Sequence, residues 1–153
     1  MKFLRSLLIL VLLIAALLPT NVGAVAQNDS SDRIIYLDGG RYITVELTVT
    51  ESRATSTKTG TKTYVGRNSN GEEEWRIILS GTFTYTGSSS TCTASSCSVR
   101  ITDTDWYVIS KSATKSGSSA IAAVTMGRKV MGITTDKDTI NIRLTCDKNG
   151  NLS

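Results

Sequence analysis

The chain of 153 residues contains no histidine. Histidine is the commonest general base and metal ligand in proteins, so its absence removes every Ser-His or Cys-His nucleophile arrangement and most hydrolase mechanisms. The three cysteines are also an incomplete zinc site, because structural zinc takes four ligands. We therefore predict that the protein is not an enzyme and that it uses no metal or other cofactor.

Proline is almost as scarce, with Pro19 as the single example. Serine and threonine are abundant, but Ser/Thr-rich stalks usually carry proline, and here threonine alternates with isoleucine, valine and leucine. Threonine suits the pleated surface of a sheet, while serine and glycine suit turns. This composition favours a β protein with threonine-rich faces over a stalk.

The first residues have the three parts of a cleavable export signal. Two basic residues, Lys2 and Arg5, precede an aliphatic run over residues 7–18, and the small-residue pattern that a signal peptidase reads ends at Ala26. The run is shorter than the roughly 20 residues that a spanning helix needs. We expect a signal peptide over residues 1–26, cleaved after Ala26 or alternatively after Ala24. The expected product is secreted and has no membrane anchor.

The charge of the chain gives little support for a nucleic-acid partner. The formal net charge of the chain is +4. Two of its 17 basic residues lie in the predicted signal peptide, so the chain without that signal has 15 basic and 13 acidic residues. These charges are scattered along the chain and do not form one basic face. We expect no nucleic acid among the partners.

Hydrophobic alternation predicts strands along most of the remaining chain. A flexible leader is expected over residues 27–33, and the clearest strands cover residues 41–50, 74–86 and 139–146, where every second residue is apolar. Shorter strands are predicted around Cys97 and after Trp106. With turn residues between them, these segments predict one all-β domain over residues 34–153. Its expected form is an antiparallel sandwich, immunoglobulin-like, or a small barrel of about seven strands.

Two segments leave alternatives open. Residues 51–64 are polar and threonine-rich, which fits a solvated strand or a loop. Residues 120–131 begin with alanines that would allow a helix, but Thr125, Gly127 and the β-branched neighbours favour a strand. A bend is expected over residues 132–138.

Paired carboxylates are the remaining catalytic possibility, at residues 72–74 and at Asp103 with Asp105. A run of glutamates beside Asn-Gly is typical of a solvated strand entry, and aspartates at a turn usually bond their own backbone. Residues 147–151 resemble the opening of a calcium loop, but the loop's terminal glutamate is lacking. We interpret all three groups as turn and surface residues.

The candidate binding residues are the adjacent aromatics Trp106 and Tyr107. On a strand they point to opposite faces, so one of them is expected to be exposed and available for stacking on a sugar or peptide. The sequence favours a non-enzymatic protein that binds an unknown extracellular ligand or cell-surface component. The alternative is a secreted antimicrobial or toxin-like protein.

The three cysteines are expected to form one disulfide in an exported protein. A partner for Cys146 closes a loop of about fifty residues and stabilises more than the very short loop between Cys92 and Cys97, by roughly 4 against 2 kcal/mol. Strand parity places Cys97 on the core face beside Val99, which favours Cys97 as that partner, but either choice is open on these grounds.

A resemblance bears on this choice. Residues 79–87 (Leu-Ser-Gly-Thr-Phe-Thr-Tyr-Thr-Gly), residues 90–92 (Ser-Thr-Cys) and residues 144–153 (Leu-Thr-Cys-Asp-Lys-Asn-Gly-Asn-Leu-Ser) resemble small secreted proteins of Gram-positive bacteria classed as a domain of unknown function. The resemblance implies an extracellular location and a disulfide between Cys92 and Cys146. It implies no activity.

Overall fold

The computed structural model describes residues 26–28, 33–51 and 56–153, so the predicted signal peptide lies almost entirely outside the described residues. The described chain is nearly all β, and a 3-10 turn at Asp38–Gly40 is its single helical element. Its nine strands are β1 (Ala26–Asn28), β2 (Arg33–Tyr36), β3 (Tyr42–Glu51), β4 (Thr57–Arg67), β5 (Glu73–Tyr85), β6 (Ser90–Ile101), β7 (Trp106–Ser116), β8 (Ser119–Val130) and β9 (Ile133–Thr145).

The strands form two antiparallel sheets. In the larger sheet β3, β4, β5 and β6 follow one another, and β1 and β2 both pair with β3, at different positions along it. This sheet therefore contains six strands but is five strands wide. The smaller sheet has the order β7-β8-β9. The predicted all-β sandwich is confirmed, and the two sheets do not close into a barrel.

The core lies between the two sheets and follows from the alternation along the strands. Ile77, Leu79 and Phe83 of β5 are fully buried on one side, and Val124 and Met126 of β8 are fully buried on the other. All belong to one cluster that also includes residues of β3 and β9. The small residues Ala120 and Ala122 of β8 are buried in the same cluster as the large side chains of β5.

Several segments are more regular than the sequence predicts. Residues 57–64 of the ambiguous polar segment form most of β4, and the segment that would allow a helix is strand β8, which confirms the form that the sequence favoured. The bend expected over residues 132–138 is wrong, because β9 already begins at Ile133. The chain reverses at Met131 and Gly132, whose φ angles are 53° and 82°, and a turn this tight leaves the residues after it free to pair with β8.

Candidate functional site

A charged cleft opens at the end of the sandwich where β7 and β5 begin. Its cavity has a volume of about 400 Å³ and is lined by residues of β3, β4, β5, β7, β9 and the 3-10 turn. An adjoining cavity of about 360 Å³ shares Asp38, Arg41 and Glu74 with it and adds Arg128 of β8. We call the two cavities together the end cleft. Its full lining also includes Leu37, Ile43, Gly66, Arg67, Trp75, Trp106, Asp136, Asp138, Thr139 and Ile140 in the first cavity, with Gly39, Asn68 and Ser69 in the second.

Two tryptophans form the apolar wall of the end cleft. Trp75 of β5 and Trp106 of β7 pack edge to face, with ring centroids 6.2 Å apart and an angle of 69° between the ring planes. Trp75 packs directly on Gly66 of β4, where an added Cβ would overlap its indole ring. Both tryptophans are almost fully buried, with relative exposures of 2% for Trp75 and 5% for Trp106. The position of Trp106 is therefore set by packing.

Guanidinium groups cover Trp106. The Cζ atom of Arg41 lies 5.5 Å from the Trp106 ring centroid, and that of Arg128 lies 5.9 Å from it. Both distances are within the range of cation–π attraction. Trp106 consequently holds two positive charges at the end cleft and does not offer a bare ring for stacking.

Two buried donors of the end cleft have no partner among the described residues, and the carboxylate of one buried glutamate there has none either. The indole Nε1 of Trp106 and the Nε of Arg128 are buried donors without an acceptor. Glu74 is only 4% exposed, and its carboxylate makes no hydrogen bond or ion pair there, although its backbone carbonyl accepts from the N–H groups of Thr102 and Asp103. Because buried polar groups are nearly always paired, the two donors indicate that an acceptor at the end cleft is missing from the described residues.

The structure separates the two predicted binding residues. Trp106 lines the end cleft, whereas Tyr107 lies on the opposite face of β7. The Tyr107 ring packs on Gly127, its hydroxyl lies 3.1 Å from that of Thr134, and Lys129 Nζ lies 4.9 Å from the ring centroid. Tyr107 therefore makes structural contacts outside the end cleft.

The sequence interpretation of residues 72–74 is wrong for one glutamate. Glu72 is exposed and Glu73 pairs with Arg76 at 2.7 Å, as expected at a strand entry. This hydrogen bond lowers the pKa of Glu73. Glu74 is buried in the end cleft instead. The pairing of β4 with β5 is irregular at this position. Gly66 pairs with Trp75 and Arg67 pairs with Glu73, so Glu74 lies between them without a partner residue on β4.

The other acidic groups behave as turn residues. Asp103 Oδ1 accepts from the backbone N–H of Asp105 at 2.9 Å. Asp147 Oδ1 accepts from the backbone N–H groups of Asn149 and Asn151, and its Oδ2 accepts from the Asn151 side chain. These bonds lower the pKa of Asp147. The described residues contain no group of three or more histidine, cysteine, aspartate or glutamate side chains placed to hold a metal ion.

The cysteines correct a prediction. Cys92, Cys97 and Cys146 are all free thiols, so the expected disulfide between Cys92 and Cys146 is not present in the structure. Cys92 and Cys146 are buried on the two sides of the turn after β7: their N–H groups donate to the carbonyls of Gly117 and Ser118. Burial raises the pKa of all three thiols. They behave as small core residues.

Arg41, Arg128 and Glu74 are the site residues that the sequence does not reveal. Each stands in an ordinary polar position of a strand or loop, and no motif joins them. Comparisons of the chain with protein-family models, with curated proteins and with solved structures find no match. Within residues 26–28, 33–51 and 56–153, no helix is long and apolar enough to cross a membrane.

Proposed function

We propose that this chain is a secreted, non-enzymatic binding protein and that the end cleft is its binding site. The observation that carries the proposal is the pair of buried, unpartnered donors there, Trp106 Nε1 and Arg128 Nε. Beside them lies Glu74, a buried residue whose carboxylate has no partner among the described residues. Leaving such groups unsatisfied costs about 1–3 kcal/mol each, and more for a charged group. A polar ligand would recover this free energy on binding.

The size of the cleft supports this proposal. A volume of about 400 Å³ is at the lower end of the range of small-molecule sites. The lining combines an apolar wall from two tryptophans with charged groups of both signs, which is the usual composition of a site that orients a small polar ligand.

The experiment is a screen of the purified protein on glycan arrays and peptide libraries, followed by two matched variants. Trp106→Phe keeps an aromatic ring but removes the buried Nε1 donor, and we expect it to weaken binding about tenfold. Tyr107→Phe removes a hydroxyl on the opposite face of the same strand and should leave binding unchanged. Equal effects of the two variants would contradict the assignment of the end cleft.

Export is part of the proposal and has its own test. Mass measurement of the protein recovered from culture supernatant should give a chain that begins at Gln27, as the pattern ending at Ala26 indicates. A cell-bound chain with residue 1 intact would rule out cleavage and release.

A membrane-active toxin is the second candidate, and one surface feature favours it. The turn between β8 and β9 exposes Met131 and Ile133 by 98% and 71%, next to the half-exposed Val130 and to Lys129. Exposed apolar side chains beside a cation are suited to insertion into a membrane surface. Dye release from vesicles containing anionic lipid, abolished by Met131→Ser with Ile133→Ser, would favour this function over ligand binding.

A further inference from the structure

The lining of the end cleft carries charges of both signs that do not neutralise each other. It contains the three arginines Arg41, Arg67 and Arg128 and the four carboxylates Asp38, Glu74, Asp136 and Asp138. Among the described residues, none of these side chains forms an ion pair with another. Arg41 and Arg67 donate only to the backbone carbonyls of Asp38 and Gly71. The cleft therefore presents separate positive and negative groups.

The positive part is centred on Trp106. Arg41 and Arg128 both lie within 6 Å of its ring centroid, and the free donors Trp106 Nε1 and Arg128 Nε belong to residues in mutual contact. These groups donate and do not accept, so the matching ligand group is an oxygen acceptor. A carboxylate fits best because two donors and two guanidinium charges favour an anion.

The negative part includes Glu74, which is 4% exposed and lacks a partner for its carboxylate among the described residues. A buried carboxylate is stabilised by a cation that also donates hydrogen bonds. An ammonium group has three donors and one positive charge. It is the ligand group that matches Glu74.

We propose that the ligand of the end cleft is a zwitterion of the size of an amino acid or short peptide. Its ammonium group would bind Glu74, and its carboxylate would bind Trp106 Nε1, Arg128 and Arg41. This inference rests on the proposed binding function. A neutral sugar would leave both kinds of charge uncompensated, and a purely anionic or cationic ligand would meet the lining groups of its own sign.

The test uses the purified protein and a mixed tripeptide library with free termini, with retained peptides identified by mass spectrometry. The same library is also supplied N-acetylated, which removes the ammonium, or C-amidated, which removes the carboxylate. We expect either cap to weaken retention by about tenfold or more, as for loss of a charged hydrogen bond. Equal retention of free and capped peptides would overturn the zwitterion assignment.

Two glutamate variants locate the ammonium site. Glu74→Gln removes the buried charge and should weaken binding of the free-terminus library about tenfold or more, with little effect on the N-acetylated library. Glu46→Gln is the matched control, because Glu46 is exposed on β3 and does not line the end cleft. If Glu74→Gln fails to fold, the capped libraries on the unmodified protein decide the question.

The result also separates this inference from the function on which it rests. Binding of glycans but not of free tripeptides, weakened by Trp106→Phe, would refute the zwitterion and retain the binding function. Failure to bind any member of the glycan and peptide collections would refute both. Retention that requires both free termini and Glu74 supports both.

Discussion

Replacing Gly66 with alanine tests whether the end cleft depends on one close contact between a strand and a tryptophan. Gly66 is buried on β4 directly opposite Trp75 of β5. An added Cβ would overlap the indole ring and would lie 2.6 Å from its Cδ2 atom. Trp75 is only 2% exposed, so a shift of its ring away from the added Cβ must displace packed neighbours or reshape the end cleft that it lines. Since Trp75 packs against Trp106, the displacement should reach the binding site.

The magnitude follows from two opposing effects. Gly66 does not have a positive φ angle, so alanine fits the backbone and stabilises by about 0.4–1 kcal/mol through the unfolded state. Overpacking a buried ring costs about 1–3 kcal/mol. We therefore expect a net destabilisation of about 1–2 kcal/mol, or roughly 3–8 °C in Tm.

Gly60→Ala is the matched control because it lies on the same strand and also faces the core side. There an added Cβ would meet the end of the Leu152 side chain, with Leu144 Cδ2 at 3.3 Å. The Leu152 side chain is only half-buried and can rotate away, so the net effect should be close to zero.

Urea unfolding monitored by tryptophan fluorescence gives the stabilities, and near-ultraviolet circular dichroism reports the contact between Trp75 and Trp106. We expect a lower midpoint and a weaker aromatic signal for Gly66→Ala alone, together with weaker ligand binding. If Gly66→Ala is as stable as Gly60→Ala and retains the aromatic signal, the reasoning that this close contact positions the cleft is refuted.

Three further predictions concern the packing of the core, the reactivity of the thiols and the stability of the protein at acid pH. Phe83→Ala removes a fully buried ring and should cost about 3–5 kcal/mol in the free energy of unfolding, measured in urea; a loss below about 1 kcal/mol would mean that the core collapses around the gap. Alkylation without reductant should label the half-buried Cys97 first, and Cys92 and Cys146 only after denaturation. All three thiols should react slowly at neutral pH because burial raises their pKa. A crosslinked Cys92–Cys146 peptide in the digest would contradict the assignment of free thiols. Hydrogen bonds lower the folded-state pKa of Asp147, so its stabilising contribution is present above the ordinary aspartate pKa and is lost as the pH falls below about 4. Between pH 6 and pH 3 the urea midpoint should therefore fall less for Asp147→Asn than for the unmodified protein. Parallel curves of midpoint against pH would exclude a role for this carboxylate.

Regular alternation made the sandwich predictable. In residues 41–50 and 74–86, every second side chain is apolar, and a strand places those side chains on one face, so the buried positions of β3 and β5 follow directly from the sequence. The turn around Gly71 has a separate local signal, because glycine tolerates positive φ and Gly71 adopts a φ of 85°. These signals are local and need no knowledge of the other strands.

The end cleft was predictable only in the choice of Trp106 as a candidate. Side chains alternate along a strand, so the sequence indicates that Trp106 and Tyr107 point to opposite faces. Which of the two faces is buried depends on where β7 pairs with β8. Glu74 follows two other glutamates, and it is buried where the pairing between β4 and β5 is irregular. No periodicity encodes that irregularity.

By itself, then, the sequence determined the strand periodicity, the β class and the exclusion of histidine chemistry, because each depends on residue type or on neighbours along the chain. The tertiary structure alone decided which charges meet. Arg41, Glu74, Trp106 and Arg128 come from four separate strands or loops, and side chains so far apart in sequence come together only when the two sheets pack.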